Sequence, residues 1–221
     1  MRKTTSYTTT QIIAKEGWNP SVLAFVVFLI AYALSWMTWF FFLVFIITLL
    51  SYRNPERIQE EDDVHGIASP IDGLIKDISK VTMKDGEEVL RIVIQKSLFN
   101  VGVLRALCAM HIEEEKERFG LPISYNAPFF RTLCARKILV CKAQDSLFRI
   151  VLNQGQYARE MSVYPTGGTF KSAQRLGFLY EGEVVLLLPL NVRVKVALQS
   201  HVQAGATTIG YFSYKDKNDT K

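Results

Sequence analysis

The chain has 221 residues, 49% hydrophobic and 21% charged, with a formal net charge of +5. That length suits one ordinary domain with an appendage and excludes a large multidomain assembly. With Arg2, Lys3, Lys15 and Glu16 of the first 52 residues set aside, 23 basic residues stand against 20 acidic ones, too mild an excess for a nucleic-acid binder but compatible with an anionic membrane surface.

The apolar content is concentrated near the N-terminus. No charged residue lies between Glu16 and Arg53, and residues 21–50 are almost wholly apolar, with Trp36 and Trp39 among them and Trp18 just before. A run of this length is too long for a cleavable signal and exceeds the roughly 20 residues a membrane-spanning helix needs. A straight helix of about 30 residues would be about 45 Å long, against a hydrocarbon core of roughly 30 Å. The segment therefore tilts as one span or folds back near Ser35-Trp36-Met37-Thr38, where small and interfacial residues interrupt the aliphatic text. Basic residues flank both ends, so charge does not assign an orientation. Asn54-Pro55-Glu56 supplies a cap and a proline at a first helical position, which predicts a new short helical element there. On such a helix Arg53 and Arg57 would share a face and could meet lipid phosphates, or serve as ordinary topology charges.

An acidic linker, Glu60-Glu61-Asp62-Asp63, leads into a region of short apolar runs. Runs over 72–78, 89–95, 138–142, 147–152, 184–188 and 191–197 predict strands, and in the last the valines alternate with polar residues at the period of two of a half-buried strand. Turn signals separate them at 70–73, 84–86, 153–155, 166–168 and 203–205. Residues 112–119 carry the one helix signal of this region, with Glu113, Glu114, Glu115 and Glu117 as its solvated face rather than a metal cage. His65 and His111 each stand alone and read as ordinary surface or core histidines. Met83-Lys84 resembles the attachment lysine of a biotinyl domain, yet Asp85-Gly86 makes a hairpin tip the better reading. Residues 192–205 resemble the strand-turn-strand of lipoyl-like sandwiches. Cys108, Cys134 and Cys141 form no C-x-x-C pair and are odd in number, which favours buried thiols in a reducing compartment over disulfides or a zinc site.

Three blocks in order carry a family resemblance. A Glu16-Gly17-Trp18 entry, the apolar segment and the exit Tyr52-Arg53-Asn54-Pro55-Glu56-Arg57 resemble the R-[DN]-P-x-R exit of the short, membrane-anchored prokaryotic phosphatidylserine decarboxylases. Ala68-Ser69-Pro70-Ile71-Asp72-Gly73 is similar to their S-P-A-D-G, and Phe99-Asn100-Val101-Gly102-Val103-Leu104-Arg105-Ala106 to their F-D-V-H-V-N-R-A. Gly155-Gln156-Tyr157-Ala158-Arg159 is like their G-x-x-A-R, and the text from Gly177 through Glu181-Gly182-Glu183 to Pro189 like their G-x-I-x-F-G-S-R-V-D-V-Y-L-P. The resemblance implies an α+β, β-rich fold: residues 1–52 as a tail and transmembrane or re-entrant helical hairpin, 53–68 as a juxtamembrane linker, and 69–221 as a decarboxylase-like β-sandwich. It also implies a role in converting phosphatidylserine to phosphatidylethanolamine at a bacterial inner membrane, with the globular domain cytoplasmic.

In that family the proenzyme cuts itself at a Gly-Ser bond, and the serine becomes a pyruvoyl group whose ketone forms a Schiff base with the substrate amine. The hydroxyl acts twice, as nucleophile on the preceding carbonyl and as the ester oxygen expelled by β-elimination. An aspartate and a histidine handle the proton. Here Asp72 stands at the family aspartate, but Gly102 replaces the histidine, and Glu183, after Gly182, replaces the serine. Glutamate has no β-oxygen to eliminate, and the chain contains no Gly-Ser or Gly-Cys dipeptide. Gly168-Thr169, the sole Gly-Thr, lies upstream of the junction and reads as a turn.

The expectation is thus a pseudoenzyme with no pyruvoyl group, no other cofactor and no metal, which binds phospholipid or partners an active phospholipid-synthesis enzyme or a second copy of itself. Arg53, Arg57, Arg105 and Glu183 are the lipid-binding candidates, and Glu183 could pair with Arg105 or with a lipid amine. The alternative is an active decarboxylase with a non-standard or borrowed prosthetic group, which must supply the electron sink that side chains lack. A third reading is a membrane-anchored assembly module with no head-group selectivity.

Overall fold

A computed structural model describes residues 12–57, 59, 63, 65–83, 85–143, 146–157, 161–164 and 168–213. After a single 3-10 turn at Lys15–Gly17, the apolar run forms two helices, α1 (Trp18–Ala33) and α2 (Thr38–Ser51). The fold-back form is the one observed, so a single straight span does not occur. Residues 34–37 make the reversal: Ser35 and Met37 take positive φ of 52° and 44°, and the Trp36 amide donates to Ala31 O at 2.9 Å. Aromatic rings zip the two helices in antiparallel order, Phe25 against Phe45 at 5.5 Å and Phe28 against Phe42 at 5.6 Å between centroids. Both ends return to one place, where the Ala14 amide donates to Tyr52 O and the Asn54 amide to Ile12 O, each at 2.8 Å.

The rest is β-rich. In chain order the strands are β1 (Gly66–Ala68), β2 (Gly73–Thr82), β3 (Glu88–Lys96), β4 (Val103–Arg105) and β5 (Met110–Arg118). The short helix α3 (Phe130–Leu133) follows, then β6 (Arg136–Ala143), β7 (Ser146–Gln154), β8 (Ser162–Val163), β9 (Thr169–Phe170) and β10 (Arg175–Phe178). Last come β11 (Gly182–Pro189), β12 (Arg193–Val194), β13 (His201–Val202) and β14 (Thr208–Tyr211). An antiparallel eight-stranded sheet runs β13-β2-β3-β11-β7-β6-β5-β9, beside two three-stranded sheets, β1-β14-β12 and β4-β10-β8. Alternation along the central strands sends Ile92, Ile94, Ile150, Leu152, Val184 and Leu186 into the main core. Their neighbours Val93, Val185 and Val151, side by side in register, make a smaller cluster with Ile138 and Leu187.

Two expectations fail locally. Residues 112–119 are not a helix: β5 pairs with β6 along its length, burying Met110 and Ile112 and leaving most of its glutamates exposed. Cross-strand pairing, with Glu115 and Glu117 near Lys137 at 3.4 and 3.5 Å, overrides helix propensity. Asn54-Pro55-Glu56 opens no helix either, because Asn54 is held extended against Ile12, so Arg53 and Arg57 share no helix face. The strand expected over 191–197 shrinks to β12. All three cysteines are free and buried. Lys84, residues 60–62 of the acidic linker, Thr166 and Gly167 of one turn, and Ala158 and Arg159 of one motif lie outside the described residues.

Candidate functional site

One end of the eight-stranded sheet gathers the residues singled out in the sequence. In register, Lys96 at the end of β3 faces Gly182 at the start of β11, which faces Gln154 at the end of β7. Asp72, in the turn leading into β2, is buried and fully engaged. Its carboxylate accepts both terminal nitrogens of Arg57, Nη2 to Oδ2 at 2.7 Å, and Oδ1 also accepts the Ala204 amide at 2.8 Å. Arg105, on β4, donates to Ala173 O and Pro55 O, both at 3.1 Å. Burial, together with the like charges of Arg57 and Arg175, pushes its pKa below the usual guanidinium value. Arg57 and Arg105 therefore clamp the segment leaving the helical hairpin onto the β domain, while Arg53 stays exposed and reaches Phe99 O at 3.3 Å.

The hairpin root closes the same region. Ala14 packs with Val101, Val103 and Phe178, and Tyr52 lies 5.5 Å from the rings of both Phe178 and Tyr180. Glu16 pairs with the buried Arg175 and accepts from Ser162 Oγ at 2.9 Å. Gly102 sits directly under this aromatic lid. A Cβ there would lie 2.6 Å from the Phe178 ring and 2.8 Å from Leu179 O, so the position holds no side chain without moving Phe178 and the backbone beside it.

Gly182 has φ of +145°, and a Cβ on it would stand 2.0 Å from Asn153 O. Only glycine lets β11 start here in register with both neighbours. Glu183 is turned toward α3: its Oε2 accepts Arg131 Nε at 3.0 Å, with 9% of the Glu183 side chain exposed. The partner is thus Arg131 rather than Arg105. Glu181 is buried, and its Oε2 accepts the Tyr157 amide at 2.9 Å.

Sequence reasoning passed over Lys96. Its side chain is almost wholly enclosed, and Nζ donates to Ser97 O at 2.9 Å and to Tyr180 O. Burial drives its pKa down to about 7, against the pull of the Asp72 and Glu181 carboxylates. A signal existed: counting by two from Ile92 and Ile94 puts Lys96 on the core face of β3. His111 and His201 are exposed; His111 lies on β5 away from this cluster, whereas His201 on β13 pairs with Leu74 of β2, two residues after Asp72. Among the described residues no group of His, Cys, Asp and Glu is placed to hold a metal ion.

Chemically, then, the cluster comprises one carboxylate neutralised by Arg57, one paired with Arg131, one bonded to a backbone amide, and an amine enclosed by backbone oxygens. Neither Gly182 nor Glu183 carries a hydroxyl or a thiol.

Comparison with known proteins gives a consistent answer. The family model described as phosphatidylserine decarboxylase matches residues 44–210. Phosphatidylserine decarboxylase proenzyme of Ehrlichia ruminantium (strain Gardel) is 30% identical over 207 residues, covering 90% of each chain. That of Geotalea uraniireducens is 27% identical over 209 residues, covering 90% of this chain and 95% of the relative. That of Polynucleobacter asymbioticus is 29% identical over 207 residues, covering 90% and 94%. No solved structure matches.

Proposed function

The chain belongs to the phosphatidylserine decarboxylase family, and we propose that within it this protein is a membrane-anchored pseudoenzyme of phospholipid metabolism. It does not cut itself, and it binds phospholipid or partners an active lipid enzyme. The observation that carries this reading is Glu183. At the position the motif match assigns to the self-processing serine stands a carboxylate in an unbroken strand, hydrogen-bonded to β3 and β7 and held by Arg131. Making a pyruvoyl group requires a β-oxygen that attacks the Gly182 carbonyl and then leaves, and a carboxylate on a longer stem supplies neither step. The residues around the junction do not fit that group: Asp72 is saturated by Arg57 and Ala204, and Gly102 has no room for the imidazole that would move the proton.

The anchor is the helical hairpin. Lys15–Ala33 forms a helical stretch long and apolar enough to cross a membrane, and most large apolar side chains of both helices are exposed. The two helices run antiparallel, Phe25 against Phe45 and Phe28 against Phe42, and their outer ends meet through Ala14, Tyr52 and Asn54. The hairpin therefore enters lipid and leaves on the same side, leaving the β domain at the surface, which in a bacterium would be the cytoplasmic face of the inner membrane.

Intact-mass spectrometry of protein purified from cells tests the reading. A single uncut chain of 25.1 kDa is expected, with no hydroxylamine-reactive carbonyl. A second chain beginning at residue 183 with a keto terminus would refute it and establish an active decarboxylase. Binding to vesicles with serine against ethanolamine head groups then separates a lipid binder, which discriminates, from an assembly module, which does not.

A further inference from the structure

Large apolar side chains exposed outside the hairpin are unevenly placed. Strand register puts the end of β3, the start of β11, the end of β7, the start of β6 and the end of β5 in one row, through the pairs Lys96–Gly182, Gly182–Gln154, Asn153–Arg136 and Arg136–Arg118. Just beyond that row stand Phe99, Phe119, Leu121, Phe129, Leu133 and Tyr157, of which Phe99, Phe119 and Phe129 are 81%, 88% and 68% exposed. At the opposite end the β2–β3 turn carries the exposed acids Asp85, Glu87 and Glu88, and among the described residues Leu147 and Leu190 are the exposed large apolar groups there, with Leu198 at the sheet edge beside β2.

The aromatic end is also the cationic end. Arg53 and Arg118 are exposed and Arg136 half-buried among these side chains, while the exposed Arg131 is paired with Glu183. Arg118 donates to Thr132 O, and Arg136 to Asn153 Oδ1 and Arg131 O, oxygens that carry no charge to neutralise theirs. The hairpin leaves from this same end, with Tyr52 packed on Phe178 and Tyr180 and with Arg53 on Phe99 O.

Aromatic rings fringed by arginines suit the head-group layer of a membrane, where rings sit at the apolar boundary and guanidinium groups meet lipid phosphates. We propose that this end of the β domain is a second membrane-contact surface, in which Phe99, Phe119, Phe129 and their arginine fringe rest in the interface of an anionic bilayer. The inference rests on the hairpin being lipid-inserted, since the hairpin brings this end to the surface. Docked this way, the Gly182-Glu183 cluster faces the head groups, and the acidic β2–β3 turn points away from them.

The test uses the full-length chain in phosphatidylcholine vesicles with and without phosphatidylglycerol. An environment-sensitive fluorophore is placed on one introduced cysteine at a time: Phe119→Cys, Phe129→Cys, Leu147→Cys or Trp39→Cys. The native thiols do not compete at neutral pH, because all three are buried and burial pushes Cys108 and Cys141 up to about 12. Lipids spin-labelled near the head group are expected to quench the labels at 119 and 129 several-fold more than the label at 147. The quenching should grow with phosphatidylglycerol and weaken with salt. Quenching at 119 and 129 no stronger than at 147 overturns the proposal. The label at 39, read with lipids spin-labelled along the acyl chain, then reports the hairpin separately: if quenched, the anchor stands and only the second surface fails; if unquenched, both fail. Labels at 119 and 129 shielded from aqueous iodide yet unquenched by lipid would mean that a second copy or another protein covers this face, which also overturns it.

Discussion

Replacing Lys96 by methionine removes an amine from an enclosed site while keeping the length of the side chain. In the folded protein burial lowers the pKa of that amine from 10.5 to about 7. The unfolded chain therefore binds more protons between those values, and stability rises with pH across that window. Below pH 7 the full cost of burying the ammonium applies, about 5 kcal/mol at 1.36 kcal/mol per unit. Between pH 6 and 8 the recovery is between about 1 and 2 kcal/mol, because only part of the titration falls in that interval. Lys96→Met abolishes this dependence but strips a donor from Ser97 O and Tyr180 O, which offsets the gain by about 1 to 3 kcal/mol for each buried acceptor left unsatisfied. Denaturant unfolding of the β domain in detergent at pH 6, 7 and 8 measures both effects. The expected result is a wild-type midpoint that climbs with pH and a variant midpoint that does not follow it. Parallel pH profiles would refute the assignment of Lys96 as the titrating group.

Asp72→Ala leaves Arg57 and the Ala204 amide without their carboxylate, in a pair whose side chains are 17% and 12% exposed. It should cost about 3–5 kcal/mol by denaturant unfolding, and Arg57→Met in the Asp72→Ala background should recover part of that loss. Gly182→Ala would drive a methyl into Asn153 O; a loss of folded protein is expected, whereas Gly86→Ala, with nothing within 4 Å of the added carbon and φ of +80°, should cost on the order of 1–2 kcal/mol. Restoring the family residues with Gly102→His and Glu183→Ser should still give one uncut chain on a denaturing gel, because Phe178 occupies the space of the imidazole. Adding Phe178→Ala removes the ring and leaves only Leu179 O, 2.8 Å from the added carbon, to shift, so fragments should appear first in the triple variant; efficient cleavage in the double variant would disprove the steric argument.

The apolar segment and its candidate turning point were legible because their signal is local, an uncharged run longer than one bilayer crossing interrupted by small and polar residues, whereas the choice of a fold-back over a tilted span came from the aromatic packing of α1 on α2. The central strands were legible for a similar reason. Residues 89–95, 147–152 and 184–188 are short β-branched and aliphatic runs bounded by turns, and β3, β7 and β11 form over them, each a little longer than its apolar text. The β5 segment misled because successive glutamates carry no period; its strand character comes from β6, whose Lys137 lies close in space and distant in sequence. The eight further strands of two to four residues draw their hydrogen bonds from partners far along the chain, so no local window contains their cause.

The same division runs through the site. The family resemblance picked out Asp72, Gly102, Gly182 and Glu183, and side-chain chemistry alone established that a glutamate has no oxygen to give up by β-elimination. Which groups answer one another was decided only by folding: Arg57 on Asp72, Arg131 on Glu183, Tyr52 and Phe178 over Gly102, and an enclosed lysine beside them. Identity and spacing are properties of the chain as written, whereas ion pairing and burial depend on distances of a few ångströms between residues that are up to 159 positions apart, as Glu16 and Arg175 are, and only the packed sheet sets those distances.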